Sequence, residues 1–142
     1  MNKWDSRFIE LAKHISTWSK DPSTQVGAVI TRGKKIVSVG YNGFPQGVED
    51  NYEHLHNREE KYPRIVHAEL NAILTARTDL AGCSIYTVPL PPCSGCAGAI
   101  IQSGITRVVS IALAREQKER WEKDMNRSKG MFKEVGIEYV EL

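Results

Sequence analysis

Trp4, Phe8, Leu11, Ile15 and Trp18 recur at steps of three and four residues, the spacing that lines one side of an amphipathic helix. This stripe predicts a core-facing first helix that stops before Pro22, because proline disfavours helical geometry in the residue preceding it. Two apolar, β-branched runs follow, residues 26–30 and 36–40, and the segment between them contains Gly33. They read as a hairpin of two strands. Residues 41–63 have no sustained periodicity and hold Gly43, Pro45 and Gly47, which predicts a long loop of the kind that carries function in a compact domain.

Beyond that loop the pattern becomes regular again. Residues 67–77 are rich in helix formers, residues 84–88 (Ser-Ile-Tyr-Thr-Val) form an apolar strand, and Pro91-Pro92 ends it and introduces a small-residue helix over 93–103; proline is well tolerated at a helix start. Residues 107–111 read as another strand, residues 116–134 as a helix with a break near Gly130, and residues 137–140 as a last strand. The order is α-β-β-α-β-α-β-α-β, and alternation of this kind favours a three-layer α/β/α sandwich around a mixed five-stranded sheet. With 142 residues, the chain has the size of one domain spanning residues 1–142 that buries a core without disulfides.

Composition narrows the chemistry. Lys and Arg number 19 against 17 Asp and Glu, for a formal net charge of +2, and this near balance gives no general electrostatic case for a nucleic-acid partner. No apolar run approaches the length of a membrane span, and the N-terminus lacks the apolar core of a secretory signal, so the expected setting is cytoplasmic. The mixed-sign run at 118–124 reads as a solvated helix face. Of the three cysteines, Cys93 and Cys96 form a C-x-x-C pair, which in a reducing compartment points to metal binding or redox chemistry.

The pair gains meaning from the stretch H-A-E at 67–69. A catalytic zinc takes three protein ligands from thiolate and imidazole groups and leaves a fourth position to water. His67, Cys93 and Cys96 supply three, each near a predicted helix start, where the helix dipole favours the thiolate form. Glu69, in the first turn after His67, can reach a water on the metal without ligating it and act as a proton shuttle. A structural zinc with Cys83 as fourth ligand and a redox dithiol are the alternatives. Cys83 sits at the start of a strand, where a small buried residue is expected, and neither alternative needs a His-x-Glu partner. H-x-E followed by P-C-x-x-C is the signature that zinc nucleobase deaminases carry.

With these residues the sequence resembles the cytidine-deaminase superfamily and, within it, the deoxycytidylate (dCMP) deaminases. The resemblance extends along almost the whole chain, through S-K-D-P-S-T-Q-V-G-A-V-I at 19–30, G-Y-N-G-F-P-Q-G at 40–47, K-Y-P at 61–63, H-A-E-L-N-A-I at 67–73 and I-I-Q-S-G-I at 100–105. It implies a cytidine deaminase-like fold and hydrolysis of dCMP to dUMP and ammonia, a product that feeds dTMP synthesis. His67, Cys93 and Cys96 match the zinc ligands, with one ion per chain, and Glu69 matches the shuttle. Asn42 matches a residue that binds the deoxyribose, and Ser19 and Lys20 lie where the phosphate is met or where a helix simply ends. The family is typically homohexameric, activated by dCTP with Mg2+ and inhibited by dTTP, and Tyr41, Gly43, Gly47 and Asp50 fall in the region resembling its effector site.

Two departures modify these expectations. Cysteines that hold a second, structural zinc in some phage members are absent here, although His54 and His56 have no assigned role. Where members often have a tyrosine near the substrate phosphate, this chain reads Leu113-Ala114-Arg115. A lost phenol and a gained cation at Arg115 raise the expectation that dCTP is accepted as well. Two other functions compete: a deaminase of free cytidine or of a base in a polymer, and a zinc-stabilised module that senses dCTP without chemistry. Glu69 separates the last from the rest, since a sensor has no use for a proton shuttle.

Overall fold

The computed structural model describes residues 2–142. Helix α1 (Lys3–Ser16) starts where the Asn2 side chain accepts the Asp5 N–H at 2.9 Å, a standard N-cap. Strands β1 (Gly27–Arg32) and β2 (Lys35–Tyr41) form an antiparallel hairpin closed by Gly33-Lys34, and Gly33 takes a positive φ of 61°. After the loop come α2 (Tyr52–His56), α3 (Arg58–Arg64), α4 (Ala68–Ala76), β3 (Ser84–Val88), α5 (Ser94–Gln102), β4 (Arg107–Ser110), α6 (Arg115–Val135) and β5 (Glu138–Glu141).

The strands form one mixed sheet in the order β2-β1-β3-β4-β5, antiparallel across β2-β1-β3 and parallel across β3-β4-β5. Helix α1 lays Phe8, Ile9 and Ala12 against Val29, Tyr86, Val88 and Val109 on one face. On the other face Ala68, Ala72, Ala97, Ile100 and Phe132, from α4, α5 and α6, cover Ala28, Ile30, Ile85 and Val108. This is the expected three-layer α/β fold.

Three local expectations change. The segment 41–63 is not continuous loop but carries α2 and α3, each capped by an asparagine side chain, Asn51 and Asn57; five- and seven-residue helices are too short to show periodicity. Helix α6 runs through Gly130 without a break, its amphipathic face outweighing one glycine. Trp18 lies beyond the end of α1 and is 52% exposed, so the buried stripe stops at Ile15.

Two glycines allow the helices to sit close to the sheet. A Cβ on Gly27 would lie 2.1 Å from the Ala12 carbonyl oxygen of α1, and one on Gly40 would lie 2.5 Å from the Ala68 carbonyl oxygen and 2.6 Å from the Ala72 nitrogen of α4. Gly40 therefore sets the height of the helix that carries His67 and Glu69. At the far end of α1, Arg107 of β4 donates to both oxygens of buried Asp5 at 2.8 Å, and the Tyr86 hydroxyl of β3 donates to the same carboxylate at 2.8 Å.

The glycines make a paired prediction. Gly40→Ala pushes α4 off the sheet and should destabilise the protein by about 1–3 kcal/mol. Gly130→Ala, placed in open space on α6, should stabilise it by about 0.5–1 kcal/mol. Urea midpoints of the two variants check both signs.

Candidate active site

His67 is the N-cap of α4 and Cys93 the N-cap of α5, with Cys96 in the first turn of α5. Both helices begin at the same place because α5 follows β3 through Pro91-Pro92 and α4 packs beside α5 on that face of the sheet. His67 Nδ1 lies 3.4 Å from Cys93 Sγ and 3.3 Å from Cys96 Sγ, and the three ligand atoms fall within 4.8 Å of one another. Ligands on a tetrahedral zinc, with Zn–S near 2.3 Å and Zn–N near 2.0 Å, stand about 3.5 Å apart. The donor set and its spacing fit that ion. Among the described residues this is the group of three or more metal-capable side chains that converges. Cys83 is fully buried in the core under α4 and α5, apart from the group.

The electrostatics agree with a dication site. The Cys93 thiol is lowered to about 4, chiefly by the hydrogen bond from the Cys96 thiol and also by the His67 ring, while Cys96, the donor in that pair, is pushed up. Hydrogen bonding to Cys93 raises the His67 ring. A dication bound by Cys93 and Cys96 would hold both sulfurs as thiolates. The start of α5 is itself pinned. The Asp124 carboxylate, from α6, accepts the Ser94 N–H at 2.9 Å and the Ser94 hydroxyl at 2.7 Å, and these bonds hold it below the usual carboxylate range.

Glu69, in the first turn of α4, is 4% exposed. Burial pushes its carboxyl up to about 7, in the range where a carboxyl both takes and returns a proton near neutral pH. His67, Glu69, Cys93 and Asn42 all line one cleft. Asn42 is buried and largely engaged: its Oδ1 accepts the Val26 N–H at 2.8 Å, and its Nδ2 donates to the Thr24 carbonyl at 2.9 Å and to Asp21 at 3.4 Å. One acceptor lone pair remains on Oδ1.

The other predicted residues lie elsewhere. Ser19 is buried and donates its hydroxyl to the Asn42 carbonyl at 2.8 Å. Lys20, of the expected phosphate site, pairs at 2.6 Å with Asp50, of the expected effector site, on the exposed surface. Arg115 opens α6 and is exposed. Ser19, Lys20 and Arg115 are not among the residues lining the cleft. Tyr41 packs edge-on against Trp18, Gly43 exchanges two backbone hydrogen bonds with Val66 beside the metal ligands, and Gly47 makes a turn at a φ of 88°.

Sequence reasoning missed several cleft residues. Asp21 and Lys61, 7% and 6% exposed, form a buried ion pair at 3.2 Å in the cleft wall. Arg120 and Trp121 line the cleft from α6, inside the run read as a solvated face. A tryptophan set among charges was the signal that one side of this run is not solvent.

Residues 2–112 match the family model for the zinc-binding region of cytidine and deoxycytidylate deaminases. An uncharacterized deaminase from the luxG 3' region of Aliivibrio fischeri is 46% identical over 142 residues, covering 100% of this chain and 95% of that one. Human deoxycytidylate deaminase is 45% identical over 114 residues, 75% of this chain and 64% of the human protein. Among solved structures, the dCMP deaminase of cyanophage S-TIM5 matches with a TM-score of 0.78 at 20% identity over 100% of both chains, a likeness of fold; it has also been solved in complex with dCMP and dUMP. On the matched zinc-binding region and the relative aligned over the whole of this chain, the chain belongs to the cytidine and deoxycytidylate deaminase family.

Proposed function

We propose that the protein hydrolyses dCMP to dUMP and ammonia, with His67, Cys93 and Cys96 as zinc ligands and Glu69 as the catalytic proton carrier. The observation that carries this reading is the buried Glu69 carboxyl one turn from three convergent ligands, in the cleft that also holds Asn42. The deoxycytidylate deaminase relatives and the phage enzyme's complex with dCMP and dUMP support the choice of substrate.

His67, Cys93 and Cys96 would hold a zinc ion, which would supply an acidified water as the nucleophile. Glu69 takes the proton that water gives up and delivers it to N3 of the cytosine as the new C–O bond forms at C4. It then accepts the second proton of the water and passes it to the exocyclic amine, so that the C4–N bond breaks and ammonia leaves. Water and dCMP are consumed, and dUMP and ammonia are formed. Asn42 Oδ1 accepts a deoxyribose hydroxyl with its remaining lone pair. Covered by the cleft walls, the carboxyl keeps its proton out of exchange with bulk solvent between the two transfers.

The finer parts of the reading rest on family resemblance. They are a homohexamer, activation by dCTP with Mg2+ and inhibition by dTTP through the Tyr41–Gly43–Gly47–Asp50 segment, and dCTP as a second substrate.

Two assays test the reading. Glu69→Gln should retain zinc while ammonia release from dCMP falls by on the order of 100-fold or more; unchanged release contradicts the catalytic role. In the wild type, turnover of dCMP, dCTP and deoxycytidine should show activity on both nucleotides, stimulated by dCTP with Mg2+ and suppressed by dTTP. Activity on dCMP alone, indifferent to both triphosphates, removes the second substrate and the regulation but leaves dCMP deamination standing.

A further inference from the structure

A nucleotide brings a phosphate into the cleft, so the cleft needs a cation that is not already neutralised. Lys61 does not qualify: its ammonium is buried against Asp21 at 3.2 Å and also donates to the Ser23 hydroxyl at 3.4 Å. Arg120 does. An exposed residue, it lines the cleft from α6 and donates from its guanidinium to the Tyr62 hydroxyl at 2.7 Å, and among the described residues no carboxylate pairs with it. The face of Trp121 lies 4.7 Å from the same guanidinium, which restricts its orientation.

A second observation points to a ligand here. The Trp121 indole N–H is buried without a hydrogen-bond partner, and Trp121 lines the same cleft. A buried donor left unmet is costly and is normally satisfied by something. Arg120 presents a planar fork of donors suited to a phosphate, and it stands next to that unmet donor. Both residues lie outside residues 2–112, the region matched by the family model.

We infer that Arg120, oriented by the Tyr62 hydroxyl and the Trp121 ring, is the residue that binds the 5'-phosphate of the substrate. The inference rests on the cytosine-nucleotide reading above and assigns its phosphate recognition to helix α6. Because the phosphate is remote from C4, Arg120 holds ground state and transition state alike, and its loss appears in KM and not in kcat.

The test is steady-state deamination by zinc-loaded Arg120→Ala and Arg120→Lys, with zinc content and circular dichroism verifying the fold. Arg120→Ala should raise KM for dCMP by on the order of 10- to 100-fold with kcat little changed, the loss should be confined to the phosphorylated substrate, and Arg120→Lys should recover part of it. A wild-type KM for dCMP in Arg120→Ala, or an equal loss with deoxycytidine, overturns the inference while dCMP deamination stands. A wild-type enzyme that releases no ammonia from dCMP overturns both.

Discussion

The structure depends on bringing two helix N-termini to one point. His67 caps α4 and Cys93 caps α5, so the residues that end the loops are also the candidate ligands. Helix starts leave N–H groups unpaired and carry a positive field, which favours thiolates but would repel a bare cation; two thiolates reverse that sign locally. The rest of the fold supports the meeting. Gly40 lets α4 lie close on β2, the parallel β3-β4 pair fixes where α5 begins, and Asp124 takes up the donors of Ser94 at the first turn of α5.

Most of this meeting was legible in the sequence because it is carried by residue type and short spacing. H-x-E and P-C-x-x-C each sit at the edge of a periodic segment, and zinc chemistry restricts which residues can do the work. The β3 strand at residues 84–88 and the hairpin around Gly33 were equally legible, since alternation and turn chemistry are local signals. The cleft walls were not. Asp21 and Lys61 are forty positions apart, and nothing in either neighbourhood marks them as a pair; only the fold of α3 against the segment after α1 joins them. Arg120 and Trp121 were hidden for a different reason, because a mixed-charge helix read as solvated while one stripe of it faces the cleft. Gly130 misled in the opposite direction, as a glycine in a long helix that packs through Met125, Ser128 and Phe132 costs too little to break it.

The cleft is built from two parts of the chain. The ligands and Glu69 lie on α4 and α5, within the region matched by the family model, whereas Arg120 and Trp121 come from α6 beyond it. A formal charge of only +2 gives little long-range attraction for an anion, so recognition has to come from a few well-placed groups.

Everything proposed for the site requires a three-ligand zinc with an open fourth position, held between α4 and α5. Zinc-edge X-ray absorption on the purified protein, with metal quantified per chain, checks it. One zinc per chain is expected, in a shell of two sulfurs at about 2.3 Å and nitrogen or oxygen neighbours at about 2.0 Å. A shell of three sulfurs, which would require Cys83 to leave the core, or protein that binds no zinc, would contradict it.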